Sequence, residues 1–147
     1  MSRSSWCLAA LAAAVLSVTG CTAEEALGEA VSDAAQVEPI EGTDLSRITL
    51  TDEASAHLGI KTEPVREASA GGRRLTAIPT AALLYDPEGK TWVFTSTTKL
   101  VFVRAAVGID HIDGDLAYLG HGPKAGTGVV TVGVPELYDA ELGVEGE

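Results

Sequence analysis

The sequence predicts a mainly β protein, a small antiparallel β-roll or barrel preceded by a signal peptide and an acidic tether. Short runs rich in β-branched and aromatic residues recur from Ile48 onward, separated by turn residues rather than by helical-period segments. Asp86-Pro87-Glu88-Gly89 places Asp, Pro and Gly where a type I turn prefers them, which predicts strands on both sides. Strands at this spacing with no intervening helices favour antiparallel pairing. The chain divides into a signal (1–20), a tether (21–44) and a β-rich domain (45–147).

The first segment carries Arg3, an uncharged apolar stretch of 13 residues from Trp6 to Val18, and small residues at Thr19-Gly20. A positive start, an apolar middle and a small-residue cut site make an export signal. The stretch is shorter than the roughly 20 residues that a helix needs to cross a hydrocarbon core. Val18-Thr19-Gly20-Cys21 resembles the cleavage site of bacterial lipoprotein signals, with a branched residue, two small residues and then cysteine. That resemblance implies a mature chain beginning at a lipidated Cys21, held at the extracytoplasmic face of a cell membrane by its acyl chains. Each buried methylene contributes about 0.8 kcal/mol, and two or more chains are needed for stable anchoring. An ordinary secretory signal followed by a chance cysteine is the simpler alternative. Cys7 leaves with the signal in either case, so no disulfide forms within one mature chain.

Composition narrows the partners. The full chain has a net charge of −11, and with Arg3 removed the nine Lys and Arg residues face 21 Asp and Glu, a net of −12. Such a chain is repelled by phosphate backbones and anionic headgroups, which argues against nucleic acid as a partner. Residues 22–44 contain Glu24, Glu25, Glu29, Asp33, Glu38 and Glu41 and no basic residue. Self-repulsion and low apolar content predict an extended tether, at most a fraying helix over Ala23 to Ala35.

Ile48 to Thr51 alternates as a short strand. Asp52 to Leu58 follows as a helical turn with acidic residues at its start, and Ile60 to Val65 as a second extended piece. Glu67 to Arg74, centred on Gly71-Gly72, reads as a flexible polar join and the main internal break. Leu75 to Ile78 and Ala82 to Tyr85 flank Pro79-Thr80, and Trp92 to Phe94 form the return strand after the Asp86 turn. Leu100 to Val107 is a further run with Arg104 as its one charge. Asp110 to Asp115 turns the chain, Leu116 to Leu119 and Val129 to Val132 are strands around the glycine-rich loop Gly120 to Gly128, and Pro135 to Glu147 reads as a tail. Trp92, Phe94, Tyr85 and Phe102 are the expected aromatic core.

Residues with catalytic or ligating chemistry are few. His57, His111 and His121 lack a second His, Cys or Met at ligand spacing, and Met1 leaves with the signal. Asp110, His111, Asp113 and Asp115 cluster around Gly114 but lack the spacing and closing Glu of a calcium loop, so they read as a solvated turn. No serine occupies a nucleophile-elbow pattern, and Lys124 precedes Ala125-Gly126 rather than Ser or Thr, unlike a phosphate loop. The expectation is a non-enzymatic chain with no cofactor, no metal and no catalytic residue, whose one assigned site is Cys21.

The segment from Ile78 to Leu142 resembles the C-terminal end of periplasmic adaptor subunits, or membrane-fusion proteins, of resistance-nodulation-division and heavy-metal efflux pumps. The matching pieces are AIPTAALLYDPEGKTWVF, the Val-x-Arg-x-x-Val-x-x-Gly pattern over Val101 to Gly108 with one residue of slack, KAGTGVVTVG and PELYDAELG. ITLTDEASAHLGIKTEPV is similar to the family's opening strand and turn. The resemblance implies that these two segments meet in a membrane-proximal β-roll that docks on an inner-membrane transporter. The sequence departs from the family where Glu67 to Arg74 stands in place of the lipoyl halves, helical hairpin and separate barrel of a full adaptor, and, with no methionine after Met1, it lacks the methionine-based copper site known in some metal-efflux adaptors. The expected function is a truncated, lipid-anchored adaptor-like protein that is not a complete adaptor by itself and that binds or modulates a transporter, with a transporter subunit or a full-length adaptor as its expected partner. The alternative is an envelope module for glycan or small solute, which needs Trp92 and Tyr118 to face solvent on one sheet.

Overall fold

A computed structural model describes residues 34–144. Eleven strands and two helices follow in order: β1 (Ala35–Pro39), β2 (Ser46–Leu50), α1 (Asp52–His57), β3 (Lys61–Pro64), β4 (Arg66–Ala70), β5 (Arg73–Pro79), β6 (Leu84–Tyr85), β7 (Thr91–Thr98), β8 (Val101–Ala106), β9 (Gly108–Asp113), β10 (Leu116–His121), β11 (Gly128–Val132) and α2 (Val134–Val144). They make two antiparallel sheets and no closed barrel. The larger runs β1-β2-β8-β7-β11-β3 with β6 paired to β7, and the smaller runs β4-β5-β10-β9.

The central strands of the larger sheet are covered on both faces, and their sequences show it. Successive side chains of a strand point to opposite sides. In β7, Val93 joins a core with Val65, Ile78, Ala82, Ala117 and Leu119, between the two sheets. Its neighbour Phe94 joins Ile48, Leu50, Phe102, Val134 and Leu137, under α2. β11 repeats the arrangement, with Val129 in the first cluster and Val130 in the second. Consecutive buried residues in β7 and β11 are the mark of a sheet sandwiched between layers. Phe94 and Phe102 are buried as the sequence predicts, Trp92 is half-buried, and Tyr85, expected in the core, is 57% exposed at the sheet margin.

Three segments differ from their sequence-based reading. Residues 35–39, inside the predicted tether, form β1 and pair residue for residue with β2, from Ala35↔Leu50 to Pro39↔Ser46. The β-domain therefore starts before Leu45. Ala35 and Val37 pack against the second core, while Gln36 and Glu38 face outward. Pro39 lacks an N–H, which an edge strand tolerates.

Glu67 to Arg74 is not a flexible join. It is the β4–β5 hairpin, in register from Arg66↔Ala77 to Ala70↔Arg73. Gly71 and Gly72 have φ of 56° and 77°, and a two-residue turn with both φ positive matches the twist of its flanking strands. The tail holds α2, whose Leu137 is fully buried.

The outer elements follow their local chemistry. Thr51 caps α1 by accepting the Ala54 N–H at 3.1 Å, with Asp52 and Glu53 in the first turn. In the β6–β7 hairpin, Gly89 N–H donates to the Asp86 carbonyl at 2.9 Å and Gly89 adopts φ 80°. The two segments that resemble adaptor sequence meet directly: β2 pairs with β8, and β3 pairs with β11.

Candidate functional site

The densest set of polar interactions surrounds Arg104 on β8. Its Nε lies 3.1 Å from Glu141 Oε2, with the two side chains 11% and 2% exposed. The guanidinium stands 4.6 Å from the centroid of the Trp92 ring and 5.5 Å from that of Tyr138. Glu141 Oε1 also accepts the Ser46 N–H at 3.2 Å, and Arg104 Nη2 donates to the Asp44 carbonyl at 3.4 Å. Strands β2, β7 and β8 and helix α2 thus converge on one ion pair.

An open pocket of about 440 Å³ lies beside it, lined by Asp44, Asp86, Glu88, Trp92, Tyr138 and Leu142 among others. Asp86 is held by its own hairpin. Its carboxylate accepts the Trp92 Nε1–H at 2.9 Å and the Lys90 N–H at 2.8 Å. The Trp92 hydrogen bond, aided by the turn's backbone N–H groups, lowers the Asp86 pKa below the ordinary carboxylate value. The Glu88 carboxylate, 2.6 Å away, raises that of Lys90.

A second polar chain crosses the smaller sheet. Arg73 pairs with Asp110, whose other oxygen meets His111 Nδ1 at 2.9 Å, and the His111 ring stacks on Tyr118 at 4.4 Å and 5°. The hydrogen bond to His111, and then the one to Arg73, lowers the Asp110 pKa. Asp110 is thus engaged with Arg73 and His111. Among the described residues no three His, Cys, Asp or Glu side chains converge where one metal ion could be held.

The predicted residues are dispersed. His57 closes α1, His111 lies on β9 and His121 ends β10. Trp92 and Tyr118 are on different sheets, and each has a face covered, by Arg104 and by His111. They do not form one aromatic platform. Cys21 lies outside the described residues. Among these, no helix is long and apolar enough to cross a membrane.

Sequence reasoning missed Glu141. A carboxylate in an apparent tail reads as solvent-facing. The available signal was its spacing four residues after Leu137, in a segment whose Pro135 suits a first helical turn.

No family model matches the chain, and no curated protein matches it. Among solved structures the chain is similar to an NMR structure spanning the N-terminal metal-binding site and the membrane proximal domain of SilB from Cupriavidus metallidurans CH34. The two are 22% identical, with 58% of this chain and 49% of that chain covered at a TM-score of 0.45. The match thus spans about half of that chain.

Proposed function

We propose that this chain is a lipid-anchored, adaptor-like protein of the cell envelope that binds or modulates a transporter of the resistance-nodulation-division type. The observation that carries the reading is the meeting of the two segments that resemble adaptor sequence. Residues 48–65 and 78–142 are joined by the β2–β8 and β3–β11 pairings, as a membrane-proximal roll requires. The most specific part of the resemblance, Ile78 to Phe94, is also a closed local unit, because Asp86 ties its turn to Trp92.

The role is that of a binding protein rather than an enzyme, with contacts made by strand edges and turns. The glycan-module alternative loses support, since its two aromatic residues lie on separate sheets and are each partly covered. Photo-crosslinking from the β-domain in intact membranes of the producing cell tests the proposal. A transporter subunit or full-length adaptor is the expected capture. Recovery of glycan alone, or of no protein, overturns it.

A further inference from the structure

We propose that the open end of the smaller sheet is a groove for an extended acidic peptide segment of a partner protein. Along β5, Ile78, Thr76 and Arg74 share one face. Ile78 is opposite Ala117, and both are fully buried in the core between the sheets. Thr76 is opposite Leu119 and Glu67, and Arg74 is opposite Ser69. The face that begins in the core thus runs out into solvent towards the Gly71-Gly72 turn.

The loop after β10 stands across this open end and borders an open groove of about 740 Å³, lined by Glu67, Ser69, Arg74, Thr76, His121 and Lys124 among others. Gly122 sets how closely that loop lies. A Cβ there would come within 3.0 Å of Leu119 Cδ1 and 3.2 Å of Val107 Cγ1.

Charge identifies the occupant. Of the nine Lys and Arg residues that follow the signal, Arg47, Arg66, Arg73, Lys90, Lys99 and Arg104 hold ion pairs. Among the described residues, Lys61, Arg74 and Lys124 do not, and two of these three line this groove together with His121. In a chain of net charge −11, uncompensated positive charge has been gathered in one concave place. A carboxylate there meets the forked donors of Arg74 and the point charge of Lys124, with the Ser69 and Thr76 hydroxyls as further donors. Glu67 repels acid at its own side, so the acidic residues of the segment lie at the Arg74 and Lys124 side. This assignment requires neither the lipid anchor nor a transporter.

The test is fluorescence anisotropy of a labelled alternating Glu/Val peptide, and of its Gln/Val counterpart, with the full mature chain in detergent. The Glu/Val peptide is expected to bind, and to bind less tightly as salt screens the contacts. Arg74→Glu and Lys124→Glu each weaken binding about tenfold, as charge reversal at a complementary site does. Both side chains are exposed, so circular dichroism should show unchanged folding. Lys61→Glu, which removes the third uncompensated cation at a place outside the groove, leaves binding unchanged. Equal binding of the two peptides overturns the proposal, as does a loss of the same size with Lys61→Glu. Displacement by equimolar inorganic phosphate also overturns it, because the groove would then recognise negative charge alone.

Discussion

Single residues in this domain differ sharply in how much their surroundings constrain them, and glycine shows it best. Gly89 and Gly133 have φ of 80° and 90°, a region that disfavours side chains by about 1–2 kcal/mol. A Cβ at Gly89 meets nothing within 4 Å, whereas one at Gly133 would lie 2.1 Å from Ile60 Cδ1. Ile60 packs against the core under α2, so moving it costs packing as well. Gly89→Ala should therefore destabilise by about 1–2 kcal/mol, from backbone strain alone. Gly133→Ala should add an overpacking cost of about 1–3 kcal/mol. Equal losses in urea unfolding would show that Ile60 yields freely. Asp86 makes a second residue-scale case. Its pKa is lower in the folded chain than its ordinary value of about 3.9, so the folded state binds fewer protons there than the unfolded chain. Its contribution is then complete above that ordinary value and is lost as pH falls through the folded value. Asp86→Asn should lower stability at neutral pH and flatten the loss that sets in as pH falls below the ordinary carboxylate value. Parallel acid limbs for the two proteins would refute the assignment.

At the scale of elements, sequence patterns were readable wherever one residue type admits one geometry. The β6–β7 turn was legible because Asp86, Pro87 and Gly89 each fill a position the turn prefers, and α1 because Asp52 and Glu53 follow a threonine cap. The β4–β5 hairpin was not, because Gly71-Gly72 serves a flexible linker and a tight turn equally well. Only the register of Arg66↔Ala77 through Ala70↔Arg73 separates them. β1 was hidden by acidic composition, since its two inward residues, Ala35 and Val37, are too few to declare a strand without β2 beside it. α2 was hidden by Glu141, which puts a charge where an apolar residue would have revealed the buried face. The candidate site was lost with it, because Arg104 has no visible partner until α2 is placed. That ion pair yields a prediction about the element. Removing one member of a buried pair leaves the other uncompensated, at about 3–5 kcal/mol, whereas replacing both with apolar residues is often neutral or stabilising. Arg104→Met should destabilise by about that amount and loosen α2, and the double variant Arg104→Met, Glu141→Leu should recover most of the loss. Thermal unfolding with hydrogen exchange at Leu137 and Tyr138 reads both effects. A double variant as unstable as the single would show that stacking on Trp92 and Tyr138, rather than the charge pair, holds the helix.

For the whole molecule, the folded domain and the expected anchor are separate in sequence, and that separation makes the functional reading testable. Among the described residues, both core clusters draw on residues from 35 onward, fourteen or more positions after Cys21. The domain's stability should be independent of the anchor, while its location should depend on it. Under the lipoprotein reading, two or more acyl chains at about 0.8 kcal/mol per methylene hold the mature chain, of net charge −12, against its repulsion from an anionic surface. Cys21→Ser should then move the protein from the membrane fraction to the soluble fraction with its unfolding midpoint unchanged. High salt should not release the unaltered protein, because salt screens charge but does not extract acyl chains. If the Cys21→Ser protein stays with the membrane and is released by salt, a protein partner rather than lipid holds it there. If it stays and resists salt, the lipid-anchor reading of Cys21 fails. Release with a lowered midpoint would instead mean that the chain around Cys21 contributes to the domain's stability.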